Sequence, residues 1–142
     1  MTTFANRGKN LEHAVKELFK QYEKLGIHVQ QNHPEVLQDG TYARGHGFDF
    51  QMLYKGKFHA FDCKECNLAR WPLDKAKMHQ LKALLDVENN GGEGFFLVHF
   101  KQSGQLVKFH ADVIHYALCR GIKSVSPEMG EATTINLLGI VE

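Results

Sequence analysis

Cysteine is scarce in this chain. Three thiols, Cys63, Cys66 and Cys119, do not make a disulfide framework, so stability has to come from packing rather than covalent staples. Long apolar runs are missing as well. Nothing approaches the roughly 20 consecutive apolar residues that span a bilayer, and the N-terminal MTTFANRGKN lacks the apolar core of a secretory signal. These absences predict a soluble, cytoplasmic protein with no membrane partner. Neither charge sign dominates, since the net charge is +1, and there is no internal repeat or low-complexity segment. The charge is unevenly spread, however. From Lys55 to Lys82 there are seven Lys and Arg against three acids, whereas Ser124–Glu142 holds three Glu and no Lys or Arg. A basic middle beside an acidic tail suits a local phosphate-binding face.

With 142 residues, 43% hydrophobic and 23% charged, the chain suits one domain with a real core over residues 1–142. Leu11, Ala14, Val15, Leu18, Phe19, Tyr22 and Leu25 recur at spacings of three and four. They predict an amphipathic helix from Gly8 or Asn10 to Leu25, stopped by Gly26. Ile27–Gln31 reads as a short strand. Residues 32–46, polar and punctuated by Pro34, Gly40 and Gly45, read as a loop or short arm. Residues 48–65, FDFQMLYKGKFHAFDCKE, read as a β-hairpin turning at Tyr54-Lys55-Gly56-Lys57. Pro72 suits the first turn of a helix over Leu73–Asp86. ENNGGEG makes a turn, Phe95–Phe100 and Gln105–Phe109 pair across KQSG, and Ala111–Cys119 forms a short helix ended by Gly121. In the tail, residues 122–142, Ile135–Val141 is a candidate strand. The order αβββαββα predicts an α/β fold, a mixed β-sheet flanked by helices.

The hairpin carries Asp49, Asp62, Lys64 and Glu65 among apolar residues. Side chains alternate across a strand, so Phe58, Ala60, Asp62 and Lys64 share one face while His59, Phe61 and Cys63 share the other. A two-residue turn on Lys55-Gly56 pairs Leu53 with Phe58, Gln51 with Ala60 and Asp49 with Asp62. A bulge at Gly56 would slide this register by one. Opposed Cβ atoms lie about 4.5–5.5 Å apart. Two carboxylates at that distance repel unless a cation or a shared proton joins them. With no His or thiolate on their face, their oxygens favour a hard cation, Mg²⁺ or Mn²⁺ as its substitute. Such an ion polarises a phosphate oxygen and activates water, and the adjacent lysine stabilises phosphate charge. That is the chemistry of phosphodiester hydrolysis.

The pattern Asp49-x₁₂-Asp62-Cys63-Lys64 resembles the PD-(D/E)XK nuclease motif. Its surroundings tighten the match. Asn6-Arg7-Gly8-Lys9-x-Leu11-Glu12 opens the first helix as in RecU-type Holliday junction resolvases, Tyr54-Lys55-Gly56 sits in the hairpin turn, and Pro72-Leu73 and His79-Gln80 follow at similar distances. The resemblance covers roughly residues 4–118 and implies a restriction-endonuclease-like fold. It also implies a homodimer that cuts four-way DNA junctions by paired, Mg²⁺-dependent nicks. It makes Asp49, Asp62 and the backbone carbonyl of Cys63 metal ligands, Lys64 the catalytic lysine, and Glu12 a helix carboxylate that helps hold metal or water. It draws Gln80 and His79 toward the scissile phosphate. Residues 32–46 are shorter than the family's arm, and the short chain suits a phage-encoded or reduced member.

Arg7, Lys9, Arg44, Lys55, Lys57, Arg70, Lys75 and Lys77 are candidate phosphate contacts, with His46 a candidate DNA contact. Each also reads as a solvated surface charge. Asp49, Asp62 and Lys64 also read as an edge-strand charge cluster. Glu12 is equally explained by the favourable field at a helix start. Glu65 faces away from Lys64 by strand parity, toward solvent or a supporting role. Cys63 and Cys66 lack a second ligand pair for zinc, and Trp71 reads as core filling rather than base stacking. Two alternatives to junction resolution remain open: cleavage of other branched or duplex DNA, and branched-DNA binding without catalysis.

Overall fold

The structure, a computed structural model, describes residues 10–32 and 47–140. The predicted arm, from residue 33 onward, lies outside the described residues, as do the candidate contacts Arg7, Lys9, Arg44 and His46.

Local chemistry sets the hairpin. Lys55 and Gly56 both take positive φ, 49° and 82°, which is the two-residue turn whose twist matches antiparallel strands. Strands β2 (Phe50–Tyr54) and β3 (Lys57–Cys66) therefore pair without a bulge. Tyr54 faces Lys57, Leu53 faces Phe58, Gln51 faces Ala60 and Phe50 faces Phe61. β1 (His28–Gln31) adds antiparallel to β2. Helix α1 (Asn10–Lys24) precedes it. Gly26, at φ 85°, closes α1 in a left-handed cap, and the amide of Ile27 returns to the carbonyl of Tyr22 at 3.0 Å.

After β3 the chain departs from the predicted helix at Leu73. Trp71–Pro72 form a short strand, β4, paired with β7 (Ser124–Val125), and the Leu73 amide donates to the Lys123 carbonyl at 2.9 Å. These bonds hold Pro72 extended. A single 3₁₀ turn, Leu73–Lys75, follows, and helix α2 covers Met78–Asn89. The reason is Trp71, which is 1% exposed and packs on Phe96 and Phe109. Burying that ring requires the extended path, and this outweighs the local preference of Pro72 for a helix start. Core filling is the role the structure gives Trp71.

β5 (Glu93–Phe100) then runs parallel to β3, and β6 (Gln105–His110) pairs antiparallel with β5. Helix α3 spans Ala111–Cys119, as predicted. The tail differs from expectation. The strand there is β8 (Glu131–Thr133), added to β6, and not Ile135–Val141. Residues 134–140 instead use their apolar side chains to pack: Ile135, Leu137, Leu138 and Ile140 cover the α1 side of the sheet. Val141 lies outside the described residues.

The main sheet has the order β1-β2-β3-β5-β6-β8. One core lies between it and α1, built from Leu11, Val15, Phe19 and Tyr22 against Phe50, Phe61, Phe95 and Leu97. The other lies under α2 and α3, where Leu81, Leu84, Ile114 and Ala117 meet Ala60, Phe96, Val98 and Phe109. Gly94 of β5 makes the second core possible. A Cβ there would run into the backbone carbonyl of Leu84, so only glycine lets α2 lie this close. Among the described residues no helix is long and apolar enough to cross a membrane. Cys63, Cys66 and Cys119 are free thiols.

Candidate active site

β3 lies inside the sheet, between β2 and β5, and its even-numbered residues face α2. That geometry carries Asp62 to a position with 0% exposure. The chain just before β2 brings Asp49 opposite it, and the Asp49 amide donates to Asp62 Oδ1 at 2.9 Å. Asp62 Oδ2 is buried with no hydrogen-bond partner, and the nearest cation, Lys64 Nζ, stands 3.9 Å away. Burial pushes the Asp62 carboxyl up from 3.8 to about 8. Repulsion from Asp49 adds to the rise, and Lys64 offsets it only in part. The pair is therefore short of positive charge.

Lys64 is held from the opposite layer. Its ammonium donates to Gln80 Oε1 at 3.0 Å. Gln80 is in the first turn of α2, so the bond joins β3 to the helix packed on it. The entry to Asp49 is fixed from two sides. Gly47 approaches Ala83 of α2 so closely that a Cβ would collide with it. Asn32 lies just past β1, buried, and its Oδ1 accepts from Gln30 Nε2 at 3.0 Å. Its backbone amide donates to the Asp49 carbonyl at 2.8 Å and its side-chain amide to the Phe48 carbonyl at 3.0 Å. Nothing in the polar run around Asn32 announced this role. An isolated buried Asn at a strand end is visible only once the chain is folded.

Asp49, Asp62, Lys64 and Gln80 are thus brought together. Glu12 is not gathered into the same group. α1 packs on the face of β3 opposite Asp62, and the described residues contain no set of three His, Cys, Asp or Glu disposed to hold an ion. The charge of Glu12 does reach Cys63, whose thiol is pushed well up by burial and then by Asp49, Asp62, Glu12 and Glu65. Cys63 lies on the α1 side of the sheet, packed against that core.

Of the two readings of Glu65, solvent or a supporting role, the structure excludes solvent. Its side chain is 8% exposed, with Oε1 3.5 Å from Lys101 Nζ and 3.8 Å from His99 Nδ1. Its other oxygen accepts the Leu11 amide, at 3.4 Å, in the first turn of α1. Lys101 follows β5, which is parallel to β3, and long-range pairing of that kind leaves no local signal.

The candidate DNA contacts scatter. Lys55 and Lys57 lie at the hairpin turn, and Lys57 is five residues from Asp62 along β3, about 17 Å at about 3.3 Å per residue. Arg70 is spent on Ser124, donating from Nε to Oγ and from Nη2 to the carbonyl, both at 2.8 Å. Lys75 and Lys77 line a groove that starts at Lys64. His79 lines a cavity that it shares with His115 of α3.

Oxygen donors fit a hard dication here. The orphaned, fully buried Oδ2 of Asp62 and the deficit of positive charge both call for one, and the pair offers carboxylates rather than nitrogen or sulfur. An ion held there by only two side-chain donors would keep coordination positions for water and substrate.

The family model of RecU, recombination protein U, matches residues 6–131. The Holliday junction resolvase RecU of Ligilactobacillus salivarius is 26% identical over 129 residues, covering 80% of this chain and 61% of the relative. The Holliday junction resolvase RecU of Streptococcus thermophilus is 26% identical over 140 residues, covering 86% and 71%. The chain therefore spans less than two thirds of the first relative's length. The solved structure of Archaeoglobus fulgidus Hjc, a Holliday junction resolvase, is similar with a TM-score of 0.56 at 12% identity, covering 85% of this chain and 94% of that one. That likeness shows the fold, and the restriction-endonuclease-like expectation holds.

Proposed function

Because the chain belongs to the RecU family, we propose that it is a divalent-metal-dependent endonuclease that resolves four-way DNA junctions by paired nicks. The observation that carries this reading is the convergence of Asp49 with the buried, protonation-prone Asp62 beside a lysine held by Gln80. Asp49, Asp62 and the backbone carbonyl of Cys63 would hold the ion, Mg²⁺ with Mn²⁺ as a substitute. When bound, the ion supplies Lewis-acid polarisation of a phosphate oxygen and a lowered water pKa. Lys64 puts its ammonium against the charge that builds on the phosphate. Gln80 keeps that ammonium from swinging onto Asp62, and its own amide hydrogens are free to donate to a phosphate oxygen. Glu12 acts through its charge from the far side of β3. A homodimer in the cytoplasm supplies one such centre to each of the two strands cut, matching the two-fold symmetry of the junction.

A mobile four-way junction incubated with the protein and Mg²⁺ tests this. Symmetric nick pairs are expected, with none in EDTA. Asp62→Asn should still bind the junction and leave it whole, and cleavage by that variant refutes the assigned role. Flaps and nicked duplex in the same assay separate junction resolution from wider branched-DNA cleavage.

A further inference from the structure

A groove of about 460 Å³ opens beside Lys64 on the α2 side of the sheet. Its walls are of two kinds. Lys64, Lys75 and Lys77 supply charge of one sign, while Leu68, Trp71 and Pro72 supply an apolar floor. Leu68 is 56% exposed, so its side chain is open to an occupant of the groove. The acid that borders the groove, Glu65, is engaged with Lys101 at 3.5 Å and the Leu11 amide at 3.4 Å. The groove therefore presents a net positive rim over an apolar base, and its volume is that of a small-molecule site, about 300–1,000 Å³.

A duplex backbone is polar along its length and needs donors but no apolar floor. A nucleotide lifted from its stack needs both, because its phosphates take cations and its flat base takes apolar contact. Continuity with the reacting centre selects nucleic acid as the occupant, since Lys64 belongs to the groove and to the acidic pair. Resting on the nuclease reading above, we propose that this groove receives one unpaired nucleotide of the cleaved DNA strand. Its base lies on Leu68 and Pro72 and its phosphates lie against Lys75 and Lys77. Unstacking is cheapest where pairing is already broken, so the groove rewards DNA cut at a branch point over intact duplex.

The test uses 2-aminopurine, substituted one position at a time through the centre of a four-way junction bound to the Asp62→Asn protein. Emission is expected to rise at a position next to the nick mapped with wild type, and to stay low in the same strand as plain duplex. Leu68→Asp, at an exposed position, should keep its melting temperature. It should weaken junction binding by about five-fold or more, leaving duplex binding unchanged. A Lys75→Ala, Lys77→Ala double variant should weaken junction binding and suppress the emission change. Flat emission at every position, or equal loss of junction and duplex binding in Leu68→Asp, overturns the groove assignment while junction nicking by wild type still upholds the nuclease. If wild type nicks no branched DNA, both readings fall together.

Discussion

A carboxyl group with no exposed surface, such as that of Asp62, sets its own pH rule. Its folded value of about 8 lies above the ordinary 3.8. Between those values the folded protein keeps a proton that the unfolded chain has released. Metal-free stability is thus fully present at the acid end of that window and declines as pH rises toward 8. Asp62→Asn removes the conflict. In EDTA near pH 8 it is expected to melt above wild type by at least about 1 kcal/mol, a few degrees for a chain of this size. The gap should close toward pH 4, which thermal melts across that range will show. Adding Mg²⁺ should raise the wild-type melting temperature and leave the variant where it was. Lys64 and Gln80 make a second prediction at this scale. Gln80→Ala frees the lysine to lean on Asp62, and kcat on a junction should fall about 10–100-fold while KM stays close to wild type. Single-turnover kinetics measures the split.

Among the elements, β5 ties the sheet together electrostatically as well as by its ladder. Glu93, at its start, takes hydrogen bonds from His59 Nδ1 of β3 and Lys108 Nζ of β6, both at 2.8 Å. Burial pushes its carboxyl up, but the bonds from His59 and Lys108 overcome that and hold it at about 2. The contribution is present above the ordinary carboxylate value of 4.5 and is lost as pH falls through to about 2. Glu93→Gln should therefore cost about 3 kcal/mol at neutral pH. That difference from wild type should shrink below pH 4.5, as urea unfolding at several pH values will record. Elements also show what local pattern can and cannot carry. α1, the β2–β3 hairpin and α3 were legible because periodicity and turn residues act within a few positions. The start of α2 was not, because Trp71 is drawn into a core shared with Phe96 and Phe109, far along the chain.

For the whole molecule, the tail is a structural part of the α1 side. Tyr22 donates its hydroxyl hydrogen to Asn136 Oδ1 at 3.1 Å and accepts the Leu138 amide at 3.3 Å. Tyr22→Phe should cost about 1–2 kcal/mol by loss of both bonds. Truncation after Thr133 should cost more, since it also uncovers the apolar side chains beneath, and melting temperatures will rank the two.

The sequence alone determined the hairpin register through Lys55-Gly56, and with it the meeting of Asp49 with Asp62 on the face of Lys64. Alternation and turn geometry are local rules that do not depend on the rest of the chain. Tertiary structure alone decided that Asp62 would be sealed from water, that Gln80 would arrive across from Lys64, that Asn32 would clamp the approach to Asp49, and that Glu65 would turn inward to Lys101. Each of these depends on which layer lies over which strand. That is settled by burying two apolar faces of one sheet at once, a condition that no short window of residues contains.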